Sequence, residues 1–346
     1  MRKRIGFLSF GHWQRAEWSQ TRTAQDALAQ TVELAVAAEE LGVDGAFVRV
    51  HHFARQLSAP FPLLAAIGVR TSRIEIGTGV IDLRYENPLY MAEDAAVADL
   101  LGGGRLQLGV SRGSPEPAYR GFDAFGYAAP DGLDDAGFAR AKLEIFMAAI
   151  SGAGVVHADV GGLPGAAMLP VQPQSPGLAE RIWWGSGSRD TAKWVGEIGL
   201  NMMSSTLLLE DTKVPFDELQ AEQIGIFRDA WRDAGHEREP RVSVSRSVIP
   251  ITTDLDRQLF GRDANEDQVG WLDGAISRFG RTYSGEPDRI AAELVQDAAV
   301  AAADTLLLTV PNQLGVDYNA RLLGTIVAHV APAIGWSPTP PVPAGA

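Results

Sequence analysis

Two adjacent histidines, His51 and His52, directly follow a short apolar segment at residues 45–50. Imidazole side chains titrate near neutral pH, and in repeating β/α folds the loops after the strands form the active site. The pair is therefore a candidate for general acid/base chemistry. An alternative is that one ring faces the pocket while the other is a satisfied packing group.

A second candidate is Arg112, which comes directly after the apolar segment 106–110 and lies between Ser111 and Gly113. Small neighbouring residues allow an arginine to present its planar fork of N–H donors to a phosphate group. A salt bridge at the rim of the fold is the other interpretation of an arginine in this position.

A third candidate is the turn formed by Gly185, Ser186, Gly187 and Ser188, which separates an apolar segment from a predicted helix containing Thr191. The start of a helix offers free backbone N–H groups, and glycines let an anion approach them closely. The hydroxyls of Ser188 and Thr191 add further donors. The turn predicts a phosphate site shared with Arg112, although Ser188 could also serve only as a helix cap.

A fourth feature is a pair of glycines, Gly77 and Gly79, near the end of the apolar segment 74–81. Glycine within a strand marks either a bulge or a place where a ligand or another backbone comes close. A flat ring system stacked on the strand would need such a place, whereas tight packing of the barrel would need it equally.

The composition excludes several classes of function. The chain has 346 residues, of which 46% are hydrophobic and 21% charged, and its formal net charge is −13. This charge argues against nucleic acid or an anionic membrane as the partner. The chain contains no cysteine, so it has neither a disulfide nor a thiolate nucleophile. No membrane-spanning segment and no signal peptide are apparent, and we expect a cytoplasmic protein.

Strand-like and helix-like segments alternate along the chain. The predicted strands are residues 5–10, 45–50, 74–81, 106–110, 182–184, 201–204, 242–250 and 305–310. Strands that are apolar on both faces, each followed by a helix, are typical of a parallel sheet, and eight such units predict an α/β (β/α)8 TIM barrel. A doubly wound open sheet is the alternative, but no Gly-x-Gly-x-x-Gly motif follows the first strand.

We predict a single barrel domain at residues 1–336. Residues 152–174 are rich in glycine and proline and predict a loop insertion. Residues 252–283 follow the seventh strand and are a candidate lid, or simply an extra helical excursion. Residues 337–346 are rich in proline, and we expect this tail to be disordered.

Taken in order, these motifs resemble the bacterial luciferase-like family of flavin-dependent monooxygenases and oxidoreductases. The resemblance extends from Ile5 to about Trp336. It rests on His51-His52-Phe53, on Gly77-Thr78-Gly79-Val80, on Asn87-Pro88 with the helix that follows, on Ser111-Arg112-Gly113 and on Gly185-Ser186-Gly187-Ser188 with Thr191. No single motif is decisive, but their order is specific.

The resemblance implies a flavin cofactor and an oxygenase reaction. Reduced FMN, supplied by a separate flavin reductase, would react with O2 through a peroxyflavin to oxidise a small, largely apolar organic substrate. Its phosphate would lie at Arg112, Ser188 and Thr191. The ring would be supported by the segment Gly77-Thr78-Gly79-Val80, where the family has a bulge with a non-proline cis peptide, and Gly79 and Val80 would contact the cofactor. His51, with His52 beside it, would act as the acid/base group, and the protein would form a homodimer through helices near the second and third strands.

The sequence also departs from the family pattern. The glutamate that precedes the histidine pair in the family is Val50 here, and a cysteine of luciferase is Ser111, so light emission is not expected. A deazaflavin (coenzyme F420)-dependent hydride-transfer enzyme is an alternative on the same fold, and a non-catalytic flavin-binding partner subunit is a second. A metal-dependent hydrolase is disfavoured because adjacent strand residues point to opposite sides and do not easily bind one ion.

Overall fold

The computed structural model describes residues 2–113, 117–208, 210, 213–261, 268–272 and 275–338. The strands are β1 (Arg4–Ser9), β2 (Gly45–Val48), β3 (Glu75–Asp82), β4 (Leu106–Ser111), β5 (Gly154–Val160), β6 (Leu163–Pro170), β7 (Ile182–Ser186), β8 (Asn201–Ser204), β9 (Leu207–Leu208), β10 (Val242–Pro250), β11 (Gln268–Leu272), β12 (Ala275–Phe279), β13 (Thr282–Gly285) and β14 (Thr305–Thr309). The α-helices are α1 (Ala24–Glu40), α2 (Pro60–Arg70), α3 (Pro88–Leu101), α4 (Asp135–Ile150), α5 (Arg189–Glu197), α6 (Phe216–Asp233), α7 (Asp254–Phe260), α8 (Pro287–Gln296), α9 (Ala298–Ala302) and α10 (Val316–Thr325).

Eight of these strands form a closed parallel barrel. Its order is β1, β2, β3, β4, β7, β8, β10 and β14, and β14 pairs back onto β1. The pairing of Val242 with Met202 closes the ring between β10 and β8. All eight strands coincide with segments predicted from the sequence, and the predicted (β/α)8 TIM barrel is confirmed.

Local sequence signals account for the boundaries of the first helix. Thr23 accepts a hydrogen bond from the backbone N–H of Asp26, while the Asp26 side chain accepts one from the backbone N–H of Thr23. This reciprocal capping box satisfies donors that a helix start otherwise leaves open. Asn87 caps α3 in a similar way and is followed by Pro88, which fits the first turn of a helix.

The glycine- and proline-rich insertion is not a loop. Residues 154–170 form an antiparallel hairpin of β5 and β6, in which Val160 pairs with Leu163 across a two-glycine turn. The loop prediction for residues 152–174 is therefore wrong. The prediction treated the glycines and prolines as signs of an irregular loop. Gly161 and Gly162 instead occupy positive-φ turn positions that join two short strands.

The insertion after β10 combines a helix with three strands. Helix α7 comes first, and β13 then extends the barrel by pairing with the end of β10, from Ser247 with Thr282 to Pro250 with Gly285. Between them, β12 pairs with β9 at Phe279 and Leu207. The lid interpretation of residues 252–283 stays a prediction, and residues 262–267 and 273–274 within it lie outside the described residues.

The two ends of the chain give two further observations. Arg2 Nε donates to the carbonyl of Ser337 at 2.6 Å, and residues 339–346 of the predicted disordered tail lie outside the described residues. Within the described part of the chain, no helix combines the length and apolar character needed to cross a membrane.

A buried carboxylate ties α3 to the barrel. Asp99 is completely buried, accepts hydrogen bonds from the backbone N–H of Leu106 and from Ser175 Oγ, and forms an ion pair with Arg181 at 2.5 Å. A buried charge is tolerated only when it is paired in this manner. Asp99 therefore fixes the entrance to β4, the strand that leads to Arg112.

We predict that Asp99→Ala lowers the free energy of unfolding by about 3 kcal/mol, because it leaves a partly buried arginine and a buried N–H without their acceptor. Urea denaturation at constant m-value measures this change. The control is Asp229→Ala, which removes a carboxylate that is 68% exposed and, among the described residues, pairs only with Arg232. The control should cost less than about 0.5 kcal/mol. Equal losses in the two variants would contradict the assignment.

Candidate active site

The C-terminal ends of the barrel strands surround a cavity of about 760 Å³. This volume lies within the range of small-molecule and cofactor sites. Eight residues predicted from the sequence line it, namely Gly79, Val80, Ser111, Arg112, Gly185, Gly187, Ser188 and Thr191. The barrel thus brings the predicted ring-binding and phosphate-binding segments together.

One wall of the cavity is formed by the ends of β3, β4 and β7. The pairing of β3 with β4 shifts register between Thr78 and Ile81, which confirms the predicted bulge. The Gly79–Val80 peptide is cis, and it lies within the segment where the family resemblance implied a non-proline cis peptide. A Cβ atom on Gly185 would lie 3.2 Å from the Cβ of Ser111. There is little room for a side chain at this point, so the wall consists mostly of backbone. A wall of backbone allows a flat ring to approach closely.

The turn between β7 and α5 has the geometry of an anion site. Ser188 caps α5 by accepting from the Thr191 N–H at 3.3 Å, and its hydroxyl donates to Thr191 Oγ1 at 3.0 Å. A Cβ on Gly187 would lie 2.9 Å from the carbonyl oxygen of Leu207, so the turn requires glycine there. Both hydroxyls and the start of the helix border the cavity.

Ser186 occupies a different place from its neighbours. It is fully buried, and its hydroxyl donates to the carbonyl of Ser188 at 3.3 Å. The Ser186 carbonyl accepts from the N–H of Ser205 at 2.7 Å. Ser186 is not among the cavity-lining residues. Its contacts order the turn from behind, because alternate residues of a strand point to opposite sides.

Two arginines of the cavity make no ion pair or hydrogen bond with any described residue. Arg112 is exposed at the rim, and Arg140 of α4 lies 4.1 Å over the ring of Trp194. By contrast, Arg84 is held by Asp82 and Asp135. An unpaired guanidinium in a cavity is suited to a phosphate or carboxylate ligand.

Sequence reasoning missed Arg140. An arginine in the middle of a predicted amphipathic helix does not stand out from the solvated charges around it. Its place in the same cavity as Arg112 depends on how α4 packs, which no local pattern reveals.

The two histidines lie behind the cavity wall. His51 Nε2 accepts a hydrogen bond from Arg49 Nε at 3.0 Å. His52 is buried and stacks on Tyr85 with ring centroids 4.1 Å apart. Arg49 and Tyr85 line the cavity, whereas neither imidazole does. The catalytic roles of His51 and His52 therefore stay predictions, and each ring reaches the cavity through a neighbouring side chain.

Arg49 is the second residue that sequence reasoning missed, and here a signal existed. Phe47 of β2 belongs to the cluster of side chains inside the barrel. Because strand side chains alternate, the residue two positions later faces the same interior. The His-His pair drew attention away from this arginine.

The sequence offers four aromatic residues for a wall around an organic substrate, Phe10, Trp13, Phe53 and Trp184, which could equally be packing residues. Of these four, only Trp184 is among the described residues that line the cavity. Its ring meets Trp194 edge-on, with centroids 4.9 Å apart. Phe10 lies instead beneath Arg49, at 5.2 Å from the guanidinium carbon, and stacks on His12. Burial lowers the pKa of His12, and the neighbouring His51 lowers it further.

Comparison with known proteins agrees with this geometry. The sequence model of the luciferase-like monooxygenase family matches residues 7–303. The chain therefore belongs to the luciferase-like monooxygenase family.

Individual relatives differ in cofactor. The alkanal monooxygenase alpha chain of Photobacterium leiognathi is 28% identical over 218 residues, which cover 62% of this chain and 56% of that protein. The F420-dependent glucose-6-phosphate dehydrogenase of Kribbella flavida is 45% identical over 89 residues, covering 24% of this chain and 26% of that protein. The matched segments thus span less than two thirds of these curated relatives.

Among solved structures, the oxygenating constituent of 3,6-diketocamphane monooxygenase from Pseudomonas putida, in complex with FMN, superposes with a TM-score of 0.69. It is 18% identical, and the alignment covers 97% of this chain and 100% of that chain. At this identity the likeness shows the shared fold.

Beside the cavity, burial raises the pKa of Glu86 from 4.5 to about 7, with Lys142 opposing the shift and Asp94 adding to it. In the folded state this carboxyl stays protonated at pH values where the unfolded chain has already lost the proton. Its contribution to stability is therefore complete below pH 4.5 and is lost as the pH rises to about 7.

We predict that Glu86→Gln removes this pH dependence. The melting temperature of the wild type should fall relative to that of the variant as the pH rises from 4.5 to about 7, and the difference should stay constant above that. Thermal unfolding across this pH range measures it. Glu93→Gln, on an exposed part of α3, controls for the loss of one charge. Parallel curves for wild type and Glu86→Gln would show that Glu86 does not titrate as described.

Proposed function

We propose that the protein is the oxygenase component of a flavin-dependent monooxygenase that uses reduced FMN and O2 to oxidise a small organic substrate. The observation that carries the proposal is the meeting of three groups in one cavity: the bulged β3 wall, the unpaired Arg112 and the Ser188–Thr191 helix start. A flavin needs a flat wall for its ring next to hydrogen-bond donors and positive charge for its phosphate. The β3 wall is the first kind of surface, and Arg112 with the helix start is the second.

The residues present fit FMN. Arg112 and Arg140 supply two guanidinium groups without a counter-ion among the described residues, and Ser188 and Thr191 supply hydroxyls at a helix start. When bound, reduced flavin supplies the electrons that activate O2. The protein positions the ring against Gly79 and Val80 and excludes water from it.

We propose that a separate reductase delivers the reduced flavin. The solved relative from Pseudomonas putida is described as an oxygenating constituent, which supports a division of labour between two proteins. For assembly we propose a homodimer through α2 and α3, because Val69, Val97 and Leu101 of these helices are exposed apolar side chains.

His51 is the proposed group for proton transfer. Its Nε2 accepts from Arg49, a cavity-lining residue, so the imidazole is one side chain away from a bound ligand. His52 would hold Tyr85 in place by stacking against it.

A deazaflavin-dependent hydride transfer is the second candidate. It is favoured by the segment that is 45% identical to an F420-dependent dehydrogenase. Deazaflavin coenzymes share the flat ring and the phosphate of FMN, so the two contact surfaces described above serve either cofactor.

We predict that FMN binds saturably and that Arg112→Ala weakens its binding at least tenfold, about 1.4 kcal/mol, because the variant removes a charged donor to the phosphate. Absorbance titrations with FMN, and separately with F420, measure this. The control is Arg70→Ala, which removes the same charge from an exposed position at the end of α2 and should leave the affinity unchanged.

The outcomes separate the two candidates. Preference for F420, weakened by the same substitution, would replace the monooxygenase with a hydride-transfer enzyme. Binding of neither cofactor, or equal effects of Arg112→Ala and Arg70→Ala, would rule out the phosphate assignment.

A further inference from the structure

The cavity has a second side that the proposed cofactor contacts do not use. Those contacts come from β3, β4, β7 and the start of α5, whereas four neighbouring strands of the barrel, β8, β10, β14 and β1, line another side. The described lining residues on these four strands are Leu8, Met203, Ser204, Ser243, Ser245 and Leu307. These six residues are called the β10 side below. None of them carries a charge, so this side differs from the part of the cavity that holds Arg112 and Arg140.

Ser243 is the residue of the β10 side that calls for a ligand. It is 2% exposed, and its hydroxyl has no hydrogen-bond partner among the described residues. A buried hydroxyl without a partner is costly and uncommon. Because Ser243 lines the cavity, a bound molecule can supply the missing partner.

The apolar surroundings of Ser243 do not favour water as that partner. Ser243 pairs with Met203 of β8, and the side chains of Met203, Leu8 and Leu307 belong to one apolar cluster inside the barrel. An ordered buried water needs about two to four polar partners. Apolar side chains do not supply them, so the position suits an oxygen that is attached to an apolar body.

The other neighbour of Ser243 is already engaged within the protein. Ser243 pairs with Thr305 of β14, whose hydroxyl accepts a hydrogen bond from Arg241 at 3.3 Å. Both terminal nitrogens of Arg241 also donate to Glu75, at 2.9 and 3.0 Å. A carboxylate placed at Ser243 would therefore lack a counter-ion among these neighbours, and a neutral oxygen suits the position better.

The two serines of β10 give the ligand a direction. Ser243 is the second residue of the strand, whereas Ser245 lies two residues nearer the mouth of the cavity and also lines it. Alternate residues of a strand face the same side, so both hydroxyls follow one line from the mouth to the floor. Ser245 is only partly buried. Ser243 is thus the buried end of this line, where the part of a ligand that enters first is recognised.

We propose that the substrate is a neutral oxygenated molecule that binds with its oxygen toward Ser243. The oxygen accepts from the Ser243 hydroxyl, and the apolar body lies between Leu8 and Leu307. This inference rests on the proposed function, which gives β3, β4 and β7 to the cofactor. It adds a buried polar end to the largely apolar substrate that the family resemblance implies. A carbonyl oxygen of the flavin ring is the other source of an acceptor, and the experiment separates the two.

The test compares ketones with alkenes of the same shape on the FMN-saturated protein. Cyclohexanone is matched with methylenecyclohexane, and acetophenone with α-methylstyrene, so that each pair differs by one acceptor oxygen. Calorimetric titration measures the affinity of each compound. We expect the wild type to bind at least one ketone about fivefold more tightly than its alkene, as one neutral hydrogen bond would give.

Substitutions on β10 assign this preference to one hydroxyl. Ser243→Ala should reduce the ratio of the two affinities to below about twofold, and Ser243→Thr, which keeps a hydroxyl, should retain part of it. Ser245→Ala should reduce the ratio less, because that hydroxyl is partly exposed. The matched control is Ser247→Ala, which makes the same change on the same strand at a residue that is not among the described cavity-lining ones. It should leave the ratio unchanged.

Benzoate tests whether the ligand is neutral. It is close to acetophenone in size and carries a negative charge. Ser243→Ala should weaken the binding of acetophenone more than the binding of benzoate.

Thermal unfolding of the ligand-free variants provides a readout besides binding. A hydroxyl without a partner contributes no hydrogen bond to the fold, so Ser243→Ala should not lower the melting temperature relative to Ser247→Ala. A lower melting temperature in Ser243→Ala alone would show that this hydroxyl is bonded within the protein, and it would overturn the proposal.

Controls separate this inference from the proposed function. Arg112→Ala should lower FMN affinity and leave the ketone preference in place. If FMN does not bind, the same titrations on the cofactor-free protein still test Ser243, and the same loss of preference in Ser243→Ala is expected.

Three results of the titrations would also contradict the proposal. The first is a wild type with no ketone preference in either pair, or a preference that survives Ser243→Ala. The second is a Ser243→Ala variant that loses at least as much affinity for benzoate as for acetophenone. The third is loss of FMN affinity, rather than of ketone preference, in Ser243→Ala, which would assign the hydroxyl to the flavin ring.

Discussion

The site depends on one buried hydroxyl at the bulge of β3. Thr78 is completely buried, and its Oγ1 donates to the carbonyl of Gly109 at 2.7 Å and accepts from the Gly109 N–H at 3.0 Å. A side chain thereby replaces the ladder bonds at the point where the register of β3 and β4 shifts. The shift carries Gly79 and Val80 into the cavity and leaves their backbone as its wall.

Close backbone contacts between β3 and β4 require glycine at two positions of this junction, Gly77 and Gly109. A Cβ on Gly109 would lie 2.3 Å from the carbonyl oxygen of Thr78 and 2.7 Å from the sulfur of Met203. A Cβ on Gly77 would lie 2.3 Å from the carbonyl oxygen of Gln107. Only glycine permits such an approach. The two glycines let β3 and β4 converge, and Arg112, which directly follows β4, is placed at the rim by the same convergence.

The parts of the structure that were predictable have local causes. The strands could be predicted because segments such as residues 106–110 are apolar on both faces, and the phosphate turn because Ser188 and Gly187 have fixed roles at a helix start. Arg140 could not be predicted, since its place in the cavity comes from helix packing. The histidines were easy to notice, but β2 ends at Val48, so the strand direction no longer determines where they point.

Arg49 links the cavity to the two imidazoles that lie behind its wall. Its Nε donates to His51 Nε2, and its guanidinium lies over the ring of Phe10, which stacks on His12. Burial lowers the pKa of His12, and the neighbouring His51 lowers it further. Arg49 lines the cavity and neither imidazole does, so any effect of a bound ligand on His51 has to pass through this arginine.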